Sequence, residues 1–275
     1  MNLVWAALIV LAVVALAVTL MLWVRRSAPD GSYFADGDRA AGVFGVLATG
    51  FAVLLGFVVF LAFDSYDTAR SGAEDEAVVL AQQVETAQFF PEEFRARLTG
   101  QLVCYGRSVT GEEWSQMEDG TLDDAAPNQW SDELFATLRS VHDPTDQELS
   151  AFERWLDQRS ERERARNDRI HGASGVIPLP LWIVLFFLSG VILLYMLLFA
   201  DGGERALTQA VMMGTVAALV SSLLLLVAFL DDPFHDGVGG LQPTSMQRTL
   251  RVIDEEVALI GLEVDPPCDT NGLPR

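Results

Sequence analysis

Three carboxylates, Asp231, Asp232 and Asp236, crowd the end of the last long apolar run of a 275-residue chain. Carboxylate oxygens are the donors that a hard cation such as Ca²⁺ prefers. The spacing is not that of an EF-hand loop, so ligand type alone supports a cation site here. The only two cysteines are Cys104 and Cys268. On an oxidising side they could pair; two unrelated buried thiols are the other reading. His142, His171 and His235 are scattered, with no zinc-type spacing to each other or to a cysteine. Glu112, Glu113 and Glu118 surround Trp114 in an acidic helical segment and read as surface residues, with Trp114 packing inward. No phosphate loop, nucleophile elbow or zinc helix motif occurs. The residues predict no enzyme, and no cofactor beyond the calcium candidate.

The elements that carry these groups are dominated by four uncharged apolar runs, at 1–24, 41–63, 177–200 and 207–230. Each exceeds the roughly 18 residues that mark a membrane-spanning segment. Backbone polar groups in lipid must be satisfied within the segment, so the runs are helices. The first run lacks a basic start, is too long for a signal core, and is followed by Arg25 and Arg26 where a small-residue cleavage site would lie. It reads as a retained helix. The expected fold is all-α: a polytopic membrane protein with four transmembrane helices in two pairs and a helical extramembrane bundle between them. The corresponding segments are 1–63 (first pair), 64–173 (acidic bundle), 174–230 (second pair) and 231–275 (acidic, loop-rich tail).

Charge is placed unevenly. All 18 basic residues are Arg, and the formal net charge is −20. Residues 64–173 hold 24 acids against 11 Arg, and residues 231–275 hold 9 against 3. These surfaces repel nucleic acid and anionic headgroups, and they suit cations or a basic protein partner. Simple solubility of an extramembrane domain also explains them. Arg25, Arg26 and Arg39 lie in the first short loop and Arg205 in the second. By the positive-inside rule these loops are cytoplasmic, which puts 64–173 and the tail outside a cell (inner) membrane. Arg159, Arg162, Arg164, Arg166 and Arg169 before the third run argue the other way, although Glu161, Glu163 and Asp168 interleave with them. The two cysteines share one side in either orientation, and a bond between them would support the outside placement.

The second run continues as a helix through Asp64–Phe90, with Ala77, Leu80, Ala81, Val84 and Ala87 at helical spacing. Pro91 suits the first turn of the next helix, which carries Phe94, Leu98, Leu102 and Tyr105 as its stripe. Residues 119–130 read as a loop, Ser131 as a helix cap with Leu134, Phe135, Leu138 and Val141 facing inward, and Thr145 with Glu148 as a capping box. That last helix runs along Leu149, Phe152 and Leu156 to about Ile170, and the tail has one element at Thr249–Ile260.

Within the second run, Gly42, Gly45, Thr49, Ala52 and Gly56 recur at spacings of 3, 4, 3 and 4 and form one face of small residues. Such a face lets helices approach closely in lipid. Alternatively it lines a narrow pore, with Phe57, Phe60 and Phe63 as an aromatic constriction near its end. Gly214, Ala218 and Ser221 in the fourth run, with Ser222 beside them, read as packing positions. No charge lies at membrane depth, which disfavours a proton-coupled transporter.

Several motifs carry a resemblance. They are Leu-Leu-Gly-Phe-Val-Val at 54–59, Asp-Ser-Tyr at 64–66, Pro-Glu at 91–92, Glu-Glu-Trp-x-x-Met at 112–117, Pro-Leu-Pro-Leu-Trp at 178–182 and Leu-Asp-Asp-Pro-Phe at 230–234, with Gly237 behind. In order and spacing the chain resembles the bacterial bestrophin-like domain family over nearly its whole length. The resemblance implies a distant relation to bestrophin anion channels: pentamers with a pore lined by the second membrane helix and an acidic calcium cluster after a membrane helix. It also implies a cytoplasmic central domain, opposite to the placement that Arg25 and Arg26 favour. Two readings follow. One is a homo-oligomeric, channel-like membrane protein; the other is a membrane-anchored sensor or scaffold whose acidic domain binds a protein. A small-residue seam closed within one protomer favours the scaffold, and one facing a symmetry axis favours the channel.

Overall fold

The computed structural model describes residues 3–30, 32–123, 127–142 and 144–275. Helices α1 (Leu3–Arg25), α2 (Gly37–Ala87), α7 (Leu179–Leu198) and α8 (Ala206–Asp231) are long and apolar enough to cross a membrane. Between α2 and α7 lie α3 (Glu92–Ser108), a π-helical turn (Val109–Glu113), α4 (Trp114–Glu118), α5 (Gln129–Arg139) and α6 (Asp146–His171). The tail carries α9 (Thr244–Ile260). No β-strand occurs among the described residues, as an all-α reading requires. The chain is a membrane protein.

Two compact units result. The first combines the chain up to Tyr66 with Gly175–Asp232 and Asp236–Gly239. The second takes Asp67–Ser174, Pro233–His235 and Gly240–Arg275. Both apolar helix pairs thus fall in the first unit, and the tail beyond Gly239 falls with the acidic bundle.

In the first unit, packing rather than hydrophobicity must select the helix contacts, because lipid is as apolar as leucine. Small residues achieve this between α1 and α8. A Cβ on Gly214 would lie 3.5 Å from both Val14 and Val18, and Ala17, Met21, Met213 and Ala217 are buried beside it. Gly214 is a packing position, as its sequence context predicts. On α2, Phe51, Leu55, Val58 and Ala62 recur at spacings of 4, 3 and 4 and are buried in one cluster with Leu185, Ile192, Val220 and Val227. The hydroxyls of Thr49, Ser189, Thr215 and Ser221 each donate to the carbonyl four residues back, so their own helices satisfy them.

The short loops are knitted together. Arg25 donates to the carbonyls of Gly202, at 3.1 Å, and Glu204. Gly202 N donates to Pro29 O, and the Phe34 ring lies 4.9 Å from that of Phe199.

The second unit has a conventional core. Ala77, Leu80, Val84 and Ala87 of α2 pack with Leu98, Leu102 and Tyr105 of α3, and the Phe90 ring meets Trp155 edge-on at 5.9 Å. Thr145 and Glu148 form the expected capping box. Several boundaries differ from expectation. Pro91 is the N-cap residue of α3, one position before its first turn. Asn128, not Ser131, caps α5 by accepting from Trp130 N at 2.9 Å, because the helix starts three residues earlier. α9 begins at Thr244 rather than Thr249. Residues 124–126 of the expected 119–130 loop lie outside the described residues. Gly72 is essential locally: a Cβ there would sit 2.5 Å from Arg169 N and 2.7 Å from Ala165 O, so only glycine lets α2 and α6 approach so closely.

Candidate functional site

The small-residue face of α2 is open. Gly42, Gly45, Thr49, Ala52 and Gly56 are all exposed in the protomer, and so are Phe57, Phe60 and Phe63. A Cβ on Gly42, Gly45 or Gly56 would meet nothing within 4 Å. Their side of α2 lies opposite the buried Phe51–Ala62 stripe, as 3.6 residues per turn dictates. The contrast with Gly214 is physical. One small-residue face is filled by a neighbouring helix of the same chain; the other has no such partner among the described residues.

The second unit contains a buried charge network that the sequence reading missed. Glu76 of α2 is fully buried and takes Arg169 of α6 in a bidentate pair, at 2.5 and 3.1 Å. The Tyr105 hydroxyl also donates to Glu76, at 2.5 Å. Glu113, on the π-helical turn, accepts from Arg169 at 2.8 Å, Arg166 at 3.1 Å and Asn128 at 2.7 Å. Arg162 is also fully buried. It donates to Gln83 Oε1 at 2.5 Å and to Ser131 Oγ at 3.3 Å, and its guanidinium lies 4.4 Å from the Tyr105 ring centre. Glu113 is therefore not the surface residue expected from its acidic context, whereas Trp114 is buried as expected.

These environments move the protonation equilibria. Burial pushes the Glu113 carboxyl up, but Arg169 and Arg166 more than offset it and hold the group below its ordinary value. Burial opposes the charge of Arg169, yet Glu76 and Glu113 raise its pKa on balance. Burial, with Glu76 beside it, pushes the Tyr105 phenol well above its ordinary value. Arg162 is lowered, chiefly by burial. The network links three segments through paired charges. Its chemistry is to fix α2, the π turn and α6 in one register, since a buried charge tolerates few alternative partners.

One signal could have found the network. Ala151, Trp155, Gln158, Arg162, Ala165, Arg166, Arg169 and Ile170 are the buried face of α6. They follow helical spacing, with three arginines continuing the line of Trp155. Of the apolar residues along which this helix runs, Leu149 is 49% and Leu156 36% exposed, while Phe152 packs at the core edge.

Cys104 and Cys268 form a disulfide, with 5.7 Å between Cα atoms. The tail it anchors is held further by Trp130 Nε1, which donates to Gly272 O at 2.7 Å. Gly272 has φ +81°, and a Cβ there would collide with Ser108 N at 2.2 Å.

Among the described residues no three His, Cys, Asp or Glu side chains are grouped to hold a metal ion. Asp231 Oδ1 instead accepts from Val176 N at 2.8 Å and Ile177 N at 2.9 Å, which ties the end of α8 to the entry of α7.

A Bestrophin-like domain matches residues 12–246. The chain belongs to the Bestrophin-like family. No curated protein matches it. Among solved structures, a variant of a bacterial bestrophin homolog from Klebsiella pneumoniae aligns with a TM-score of 0.70 at 14% identity, covering 92% of this chain and 99% of that one. A second variant of that homolog aligns with a TM-score of 0.70 at 13% identity, covering 90% and 99%. The homolog solved by Zn-SAD phasing aligns with a TM-score of 0.67 at 13% identity, covering 95% and 100%. At such identity the likeness is one of fold. Within this Bestrophin-like chain, the disulfide and most of α9 involve residues beyond the matched region, since Cys268 lies after Met246.

Proposed function

We propose that the protein is an oligomeric, channel-like protein of the inner membrane, with the 41–63 segment of α2 lining or flanking a central pore. The observation that carries this reading is the open face of Gly42, Gly45, Thr49, Ala52 and Gly56, with Phe57, Phe60 and Phe63 beyond it. A small-residue seam left unfilled by its own protomer is suited to close approach between copies. The three phenylalanines are suited to a dewetting constriction. Membership of the Bestrophin-like family supports the same reading. A scaffold with the seam closed inside one protomer lacks this support.

The orientation we infer puts the bundle and tail outside the cytoplasm. The Cys104–Cys268 bond supports an oxidising compartment for that unit. The arginines of the short loops agree with it.

The decisive experiment is light scattering of the detergent-purified protein, followed by planar-bilayer recording. An oligomer that conducts is expected. Gly45→Leu and Gly56→Leu should weaken assembly or block the current, with less effect on assembly from Thr49→Leu, since Thr is already branched. A monomer without current rejects the channel reading. Reporter fusions in the 119–130 loop and after Arg275 test the sidedness, and cytoplasmic behaviour of both overturns it.

A further inference from the structure

Two surfaces of the second unit carry apolar side chains that their own protomer leaves uncovered. The first is a groove of about 490 Å³ between α2 and α6, lined by Glu85 of α2, Phe89 just past its end and Arg154 of α6. Phe89 is 55% exposed, and Glu85 and Arg154 are exposed with it. α6 runs antiparallel to this stretch of α2, since Arg162 meets Gln83 and Trp155 meets Phe90. Arg154 therefore follows Phe89 along the groove, and the order is acidic, apolar, basic.

The second surface is the outer face of α9. Met246, Leu250, Ile253 and Val257 turn into the core. Arg248, Val252 and Glu255 recur at spacings of 4 and 3 on the opposite side and are exposed. Val252 is 49% exposed, and the order here is basic, apolar, acidic. Glu85, Arg154, Arg248 and Glu255 take part in no ion pair among the described residues. The two faces cannot meet within one protomer. A Cβ on Gly106 of α3 would lie 2.8 Å from Leu250 of α9 and 3.1 Å from Leu80 of α2, so Leu80 marks the side of α2 that looks towards α9. Glu85 and Phe89 follow Leu80 by five and nine residues, which is about 140° and 180° round a helix. The groove opens away from α9.

We propose, resting on the oligomeric reading above, that the outer face of α9 in one copy docks in the α2–α6 groove of the next. Four residues separate Glu85 from Phe89, and four separate Arg248 from Val252. With α9 running in the direction of α2, Arg248 meets Glu85, Val252 covers Phe89 and Glu255 meets Arg154. Charge selects this register. Sliding α9 until Leu259 covers Phe89 sets Glu255 against Glu85, a like-charge contact that the interface would exclude. The contact joins two different faces, so it is heterologous, and repetition about an axis closes a ring.

The test is cross-linking of the full-length protein in detergent with a short bismaleimide, beside light scattering of the same sample. Cys104 and Cys268 are bonded to each other, so introduced thiols are the only ones to react. The double variant Phe89→Cys with Val252→Cys should give a ladder of covalent multimers on a denaturing gel, and each single variant should run as a monomer. Adding Glu85→Arg should abolish the ladder, and adding Arg248→Glu as well should restore it; all four positions are exposed, so these variants should fold. A covalent dimer from either single variant would mean a two-fold contact. An oligomer by light scattering that gives no ladder, or a ladder that the charge exchange fails to restore, would mean that the copies meet elsewhere. Each of these results overturns the proposed contact and leaves the oligomeric reading standing, whereas a monomer by light scattering overturns both.

Discussion

Arg169 grips Glu76 with two hydrogen bonds, Nε to Oε2 at 2.5 Å and Nη2 to Oε1 at 3.1 Å, and neither side chain reaches solvent. The pair joins α6 to α2 at the level of the Tyr105 hydroxyl. The same guanidinium bridges to Glu113, so a single side chain ties together three segments distant in sequence. Bidentate geometry is what the planar guanidinium provides and lysine does not.

Removing one partner strands a buried charge. Arg169→Met should cost about 3–5 kcal/mol. The thermal midpoint, followed by near-UV circular dichroism in detergent, should fall accordingly. Adding Glu76→Gln to Arg169→Met should recover part of the loss, because the stranded carboxylate is then gone. Strictly additive losses would show that the two residues do not act as a pair.

Acid should loosen the bundle through Glu113. Its folded pKa lies below the unfolded one, so its stabilisation is present above the ordinary carboxylate range and is lost as pH falls through the folded value. Glu113→Gln should flatten the acid limb of a midpoint-against-pH curve and lower the plateau at neutral pH. Tyr105 works in the opposite sense. Its raised pKa means stabilisation present below the ordinary phenol value and lost as pH climbs towards the folded one. Tyr105→Phe should therefore remove an alkaline transition.

The disulfide closes a loop with a sequence separation of 164. In the chain-entropy model such closure stabilises by about 5 kcal/mol, less any strain. Cys268→Ser should lower the unfolding midpoint and increase proteolysis of the tail. Intact-mass analysis with and without reductant should show a difference of two hydrogens per chain; two freely alkylated thiols in the unreduced protein would refute the bond.

Leucine at two glycines should separate protomer stability from assembly. Gly214→Leu presses into Val14 and Val18 and should destabilise the protomer by about 1–3 kcal/mol, as overpacking does. A Cβ at Gly45 meets nothing within 4 Å, so Gly45→Leu should leave the protomer's unfolding midpoint unchanged while altering oligomer mass. Equal midpoint losses for both would contradict the open face.

Short-range rules made much of this protein legible. Four uncharged apolar runs can only be helices in lipid, and α1, α2, α7 and α8 follow them. The Thr145–Glu148 box opens α6, and the stripe at Leu98, Leu102 and Tyr105 forms core, because both depend on contacts within a turn or two of helix. The cysteine pairing was one of two open readings; only the fold brings Cys104 and Cys268 to bonding distance. Tertiary structure also decided which small-residue face is filled. Gly214 and Gly45 have similar local contexts, and what each meets depends on helices far away in the chain. It decided the fate of the charges as well. Asp231 became a clasp for two backbone amides, those of Val176 and Ile177. Glu113 went inside although its neighbours are acidic, because Arg166 and Arg169 wait there on another helix. Burial of a charge is settled by partners brought from a distance, and local sequence does not specify where those partners will stand.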